Sequence, residues 1–391
     1  MPLPFAVHVL GLAVFAQGTS EFMLSGLVSS IAADLGVSLA AAGLLTSAFA
    51  VGMVVGAPFM ALFSRTWPRR RALLLFLAVF VAVHIAGALT PSYGVLLAAR
   101  FVGALANAGF WAVALSAAVS MVPDRLRGRA TAVVVGGVTI ACVVGVPAGA
   151  VLGERWGWRA AFWAVAVVSL PAFLAIARCV PSGRGSEAVP VRDELRLLTG
   201  PRLRPTLLTM ALVQGATFCA FSYLEPLLTR ATGLTAAYVP VALALFGAGA
   251  FLGVTVAGRY ADRRPTAFIA YGMAALALGW STLALTAGRP VAVLVLIPLL
   301  GLLAFGTGTA LITRVLGLAP EASALAGAFG TSAFNLGAAV GPWAGGLALE
   351  AGFGYRAPVW VSAALMVLAL LTVAARWRRR TQVRAGTAAG C

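Results

Sequence analysis

The sequence predicts an all-α membrane protein of twelve transmembrane helices arranged as two parallel six-helix repeats. Three observations carry that prediction. The 391 residues are 61% apolar and only 10% charged, with a mean hydropathy of +0.99; a soluble chain carries about 25% charged residues. Twelve stretches approach the ~20 apolar residues that a helix needs to cross a bilayer. The chain also repeats itself at an offset of 197 residues. Gln17-Gly18 returns as Gln214-Gly215, and Phe49, Gly52 and Gly56 return as Phe246, Gly249 and Gly253. Pro123 returns as Pro320, and Gly157, Arg159 and Trp163 as Gly354, Arg356 and Trp360. Apolar coincidences are cheap in an Ala/Leu/Val-rich chain; Gly on Gly, Pro on Pro and Arg on Arg in one register are not.

In chain order the spans are read at 5–30, 39–63, 72–90, 94–120, 130–153 and 160–180, then 205–228, 237–258, 267–287, 291–313, 323–349 and 357–376. Turn-forming runs separate them: Thr90 to Gly94, Gly288-Arg289-Pro290 and Pro123-Asp124-Arg125. The apolar N-terminal stretch has no basic leader and exceeds a signal-peptide core, so it reads as the first span. The expected domains are residues 1–180, a cytoplasmic linker at 181–204, and residues 205–391 with a short basic tail. Val191 to Thr199 in the linker reads as a short surface helix. Six spans per half return the chain to its starting side, so the halves are parallel repeats with a site between them, which is the architecture of a carrier.

The net charge of +17 comes from 28 basic residues, all Arg. They gather at 65–71, 125–129, 178–204, 259–264, 314 and 376–384, while the alternate loops hold Arg155, Arg159, Arg230, Arg289 and Arg356. That alternation is a positive-inside pattern, not a nucleic-acid patch; it places both termini in the cytoplasm and the protein in the plasma membrane, against anionic lipid. Cys142, Cys179, Cys219 and Cys391 show neither pairing nor metal spacing, and His8 and His84 are isolated. With no nucleophile triad or phosphate loop, neither an enzyme nor a cofactor is expected.

Charges inside apolar spans cost about 2.5–3.5 kcal/mol on insertion scales, so each is a functional candidate. Glu21 lies about 24 Å along the first span. A carboxyl there is able to load and unload a proton; the alternative is a structural carboxyl bonded to Thr or Ser. Arg100 opens the fourth span and either pairs with Glu21 or backbone carbonyls, or snorkels to the outer interface. Glu225 lies near the outer mouth of the seventh span and reads as an interfacial charge. Phe218, not an acid, stands at the repeat position of Glu21. Gln17, Asn107, Gln214 and Asn335 are amides in apolar helices, accompanied by the rings of Phe110, Trp111, Phe218, Phe221 and Tyr223. Singly each is a packing residue; clustered in spans 1, 4 and 7, they suit a mostly neutral, partly aromatic solute. Gly341-Pro342 with Gly345-Gly346, and more loosely Gly145, Pro147 and Gly149, mark bent, closely packed helices able to seal one side of the seam between halves.

These residues resemble the major facilitator superfamily in its twelve-span drug:proton antiporter branch. Gly341-Pro342-xx-Gly345-Gly346 matches that branch's antiporter motif. Gly258-Arg259-Tyr260-Ala261-Asp262-Arg263-Arg264 resembles the superfamily's loop signature; the first copy departs from it, with Arg65 in the acidic place and Pro68 in place of Gly. Arg100 matches the Arg of the fourth-span motif. Gly18-Thr19-Ser20-Glu21-Phe22, Gly145 to Gly149 and Gly157-Trp158-Arg159-Ala160 resemble the chloramphenicol and sugar efflux permease group, and the whole chain is similar to actinomycete chloramphenicol resistance proteins. The resemblance implies an exporter that trades protons for a chloramphenicol-like drug, with Gly258, Asp262 and Arg263 in gating; a monomer is expected. Two other readings stand beside it: an exporter of a sugar or other metabolite, and a receptor or channel without coupled transport.

Overall fold

The computed structural model describes residues 3–63, 67–123, 126–182, 203–260, 265–318 and 323–388. Asp262, Arg263, Arg65 and the proposed linker helix lie outside the described residues. The first bundle comprises α1 (Phe5–Phe22), α2 (Leu39–Phe63), α3 (Arg69–Leu89), α4 (Tyr93–Ser120), α5 (Arg127–Ile140 with Val146–Trp156) and α6 (Trp158–Cys179). The second comprises α7 (Leu203–Ser222), α8 (Tyr238–Tyr260), α9 (Pro265–Thr286), α10 (Pro290–Leu318), α11 (Ser323–Glu350) and α12 (Ala357–Ala388). No strand occurs among the described residues. In lipid every backbone polar group must be satisfied within the segment, and an all-helical chain does that. Ten of these helices are long and apolar enough to cross a membrane, judged on the described residues.

The helix limits keep the offset of the sequence repeat. Tyr93 and Pro290, Phe63 and Tyr260, and Leu89 and Thr286 each stand 197 residues apart. So do the turns: Gly157 (φ 81°) and Gly354 (φ 76°) separate the last two helices of each bundle, in a region of backbone space that disfavours a Cβ. Packing repeats as well. A Cβ at Gly52 would strike the Phe101 carbonyl of α4, and one at Gly249 the Pro298 carbonyl of α10, again 197 residues on. The repeat therefore specifies helix length, turn and helix contact together.

Three departures from the expected spans matter. The first span is not one helix to residue 30: α1 ends at Phe22, a 3₁₀ turn covers Met23–Gly26, and a separate helix runs over Val28–Leu35. The seventh is broken after Ser222, with a short helix at Leu224–Pro226 and a π turn at Leu227–Ala231. α5 holds a second π turn, Ala141–Gly145, in which Val146 N–H bonds the Ala141 carbonyl. Pro147 has no N–H to continue that pattern, which is why the irregularity sits just before it.

The bundles meet along two seams, α2 on α11 and α5 on α8. The joining contacts lie toward the ends away from the chain termini. Tyr223 Oη donates to the Pro342 carbonyl at 2.9 Å, and its ring system fills the space that side chains at Gly43, Gly345 and Gly346 would need. Glu225 Oε2 accepts from Ser29 N–H at 3.1 Å, across the two bundles. Because Ser29 opens the Val28–Leu35 helix, the carboxylate faces the positive end of a helix dipole. Glu225 is thus a bridging group, more than the interfacial charge expected from its depth. Ser38 Oγ adds a bond to Glu350 at 3.1 Å.

The Val28–Leu35 helix is fastened to its own bundle by Asp34. Its Oδ2 accepts from Trp158 Nε1 at 3.1 Å and pairs with Arg159, whose Nη2 also donates to the Thr90 carbonyl at 3.1 Å. Hydrogen bonds from Arg159, then Trp158, hold the Asp34 carboxyl below its ordinary value. A depressed carboxyl contributes stability above its unfolded value and loses it as pH falls through the folded one. The thermal midpoint of detergent-solubilised protein is therefore expected to fall on acidification below the usual carboxylate range. Asp34→Asn should lower the neutral-pH midpoint slightly and flatten that acid limb; an unchanged acid limb would remove Asp34 from the account. The Arg159 and Asp34 side chains are 34% and 45% exposed, so solvent screens the pair and the effect is small.

Candidate functional site

Arg100 is the most conspicuous buried charge of the first bundle, only 2% exposed. It faces inward from α4 and does not snorkel. Nη1 donates to Ser20 Oγ at 2.8 Å and to the Ser20 carbonyl at 3.0 Å, and the guanidinium carbon lies 4.3 Å from the Phe49 ring centroid. Such a cation–π contact contributes about 0.5–2 kcal/mol depending on desolvation. Nε and Nη2 have no hydrogen-bond partner among the described residues. Glu21, next to Ser20, is partly buried between two buried neighbours, so it turns to a different face of α1. Among the described residues it makes no hydrogen bond or ion pair, and it adjoins Ser20, to which Arg100 is bonded. The predicted acid and base are therefore brought into one neighbourhood without neutralising each other directly.

Below Arg100 a polar stripe continues. Asn107, two turns on along α4, is fully buried; its Nδ2 lies 3.4 Å from Met53 Sδ, and its Oδ1 has no partner among the described residues. Gln17, one turn before Glu21, is fully buried, with neither amide atom partnered among the described residues. Buried amides without partners cost roughly 1–3 kcal/mol each, a cost expected where a solute or water completes them.

The ring-bearing candidates divide. Phe218 and Phe221 join a ladder that crosses from one bundle to the other. Phe22 lies 5.5 Å from Phe218 and 6.3 Å from Phe221, Phe221 lies 4.7 Å from Phe246, and Phe246 lies 6.1 Å from Phe305. Phe22, Phe246 and Phe305 are not among the pocket residues expected from sequence, although Phe22 adjoins Glu21 and Phe246 marks the repeat. Phe110 is fully buried in the core of the first bundle, with Trp111 packed partly against the same core. Tyr223 stands in the α2–α11 seam. Gln214 is partly buried, and Asn335 returns its Nδ2 to the Thr331 carbonyl of its own helix at 3.0 Å.

The glycine motifs pack mostly within their own bundles; Gly346, against Ala40 of α2, reaches across the α2–α11 seam. Gly341 packs on the Gly215 carbonyl of α7, while Gly345 and Gly346 receive Tyr223. Gly145 closes the π turn against Thr19, and Gly149 lies beside Met23. The Cys142 carbonyl, which Pro147 cannot serve, faces Gly247 of α8. Gly258, two residues before the end of α8, faces open space.

Comparison with known proteins adds four findings. The model of the family described as Major Facilitator Superfamily matches residues 10–332. The chain is 51% identical over 375 residues to a protein named "Chloramphenicol resistance protein" from Streptomyces lividans, covering 95% of each. It is 33% identical over 373 residues to "Inner membrane transport protein YdhP" of Escherichia coli (strain K12), covering 95% of this chain and 96% of that one. Among solved structures it resembles a bacterial homolog of the human lysosomal transporter Spinster, in an inward-facing and unoccupied conformation. There the TM-score is 0.74 at 18% identity, covering 95% of this chain and 94% of that one, a likeness of fold.

Proposed function

The chain belongs to the Major Facilitator Superfamily, and we propose that it is a secondary exporter that moves chloramphenicol or a similar drug outward in exchange for protons. The observation that carries the reading is Glu21: a carboxyl without a hydrogen bond, close to the buried Arg100 and next to a ring ladder shared by both bundles. The relative named for chloramphenicol resistance supports the drug class. A solute with an aromatic ring and polar arms suits the ring ladder together with the unpartnered amides that the first bundle holds at Gln17 and Asn107.

The cycle follows from competition for one cavity. The working unit is a single chain in the plasma membrane with both termini cytoplasmic. The seams then close the outer side, so the drug enters from the cytoplasm, and its arrival displaces the proton of Glu21. The loaded carrier rocks open outward as the α2–α11 and α5–α8 contacts part. A proton from outside re-protonates Glu21, displaces the drug and permits return. Each charge moved inward gains roughly 2.3 kcal/mol per 100 mV of membrane potential.

The test compares drug accumulation in cells with and without the protein, before and after the proton gradient is collapsed. Lower accumulation with the protein is expected, returning to the control level once the gradient is gone. Accumulation that stays low after collapse would remove the proton from the reading; accumulation that never falls would remove the drug.

A further inference from the structure

We propose that His84 is a positioning residue for Arg100, acting through the hydroxyl of Ser20; its bearing on transport rests on the coupling reading above. From sequence, His84 is an isolated ring in an apolar span. In the fold it is 3% exposed, held between Phe80 of its own helix and Phe162 of α6, with ring centroids 4.1 and 5.7 Å away. Nδ1 lies 2.7 Å from the Phe80 carbonyl, which only accepts, so Nδ1 carries the hydrogen. Nε2 lies 2.6 Å from Ser20 Oγ.

The remaining bond directions follow. Arg100 Nη1 can only donate, so Ser20 Oγ accepts from it at 2.8 Å. The Ser20 hydroxyl hydrogen is then free to point to Nε2, which accepts it if the ring is neutral. A protonated ring would turn Nε2 into a donor and place a second cation one serine away from the guanidinium. The groups facing His84 from its neighbours are Arg100 on α4, Ser20 with Glu21 beyond it on α1, and the uncharged Phe162 on α6. Among these groups only Glu21 is acidic, and it turns to a different face of α1 from Ser20.

The result is a one-way chain from Arg100 through Ser20 and His84 to the Phe80 carbonyl, in which each bond polarises the next. It ties down one guanidinium nitrogen and leaves Nε and Nη2 uncommitted. Those two remain available to the Glu21 carboxylate or to an oxygen of the solute. His84 thereby fixes how Arg100 is presented without touching either.

The experiment has one arm that needs no transport. In full-length protein carrying His8→Ala and reconstituted in lipid, ¹⁵N NMR reads His84 alone. The expected spectrum is a neutral ring with Nδ1 protonated and Nε2 accepting, from about pH 5 to 8, where an unperturbed histidine would titrate. Ser20→Ala should move the Nε2 signal. An Nε2–H tautomer, or an imidazolium at neutral pH, overturns the proposal whether or not the carrier is proton-driven. The second arm measures drug/proton exchange in proteoliposomes. His84→Leu and Ser20→Ala are each expected to shift the pH midpoint by about one unit, with the double variant no further shifted. His84→Gln, whose side-chain oxygen can accept where Nε2 does, should restore the wild-type midpoint. Wild-type midpoints in His84→Leu, or equal impairment of the Leu and Gln variants with a lowered thermal midpoint, overturn it in favour of plain packing. Gradient-independent exchange by the wild type, alongside the expected spectrum, overturns the coupling reading and leaves the positioning intact.

Discussion

Glu21→Gln is expected to abolish proton-driven export while leaving the protein folded. The substitution keeps the shape and polarity of a side chain that makes no hydrogen bond in the structure, so neither packing nor an ion pair is lost. What disappears is the ability to exchange a proton beside Arg100. Cells carrying the variant should show the same drug sensitivity as cells without the protein, at equal membrane abundance. In proteoliposomes, drug counterflow without a gradient should survive, while an imposed proton gradient drives no accumulation. Gradient-driven accumulation at the wild-type rate would sink the assignment of Glu21 and with it the competition scheme.

Gly247→Val carries the second large effect, and it is mechanical. The Cys142 carbonyl of the π turn occupies the place where any side chain at residue 247 would begin. Both sides of this contact are backbone, so relief requires α5 and α8 to separate; overpacking of that kind costs about 1–3 kcal/mol. Most of that cost falls on the state in which the seam is closed, so the equilibrium between facings moves by about 5- to 150-fold at the same free energy. Transport should fall steeply while the protein remains in the membrane. A thiol probe makes the shift visible: with Cys179, Cys219 and Cys391 replaced by Ser, Cys142 is buried in the seam and should be protected. In Gly247→Val it should react with a membrane-impermeant reagent added outside. Unchanged protection together with normal transport would show that the seam tolerates the branch.

How much of this was legible beforehand varies with sequence distance. The spans, their pairing at 197 residues and the two charges within spans, Glu21 and Arg100, show in the sequence because lipid makes a charge in an apolar run conspicuous. Ser20 and His84 did not, because they lie 64 residues apart and each is unremarkable alone. Glu225 read as an interfacial charge because its depth is legible and its partner Ser29, 196 residues away in the other bundle, is not. Tyr223 grouped with the pocket rings by type and span; only the fold separates it from Phe218 and Phe221 and gives it to the seam. The break of the first span at Phe22 escaped because Met23 to Val28 is as apolar as the helix it ends.

The π turn of α5 bears on the kinship of the two bundles. An α-helix advances about 100° per residue, so one extra residue in a turn rotates every later side chain out of phase with those before it. α11 runs α-helical through the corresponding stretch. Although both helices descend through the same spacing of turns, their distal halves present different sides to their neighbours. The duplicated units have thus ceased to be interchangeable parts: α5 is cut to mate with α8 and α11 with α2, and a transplant of one into the other's socket would bring the wrong face to the joint.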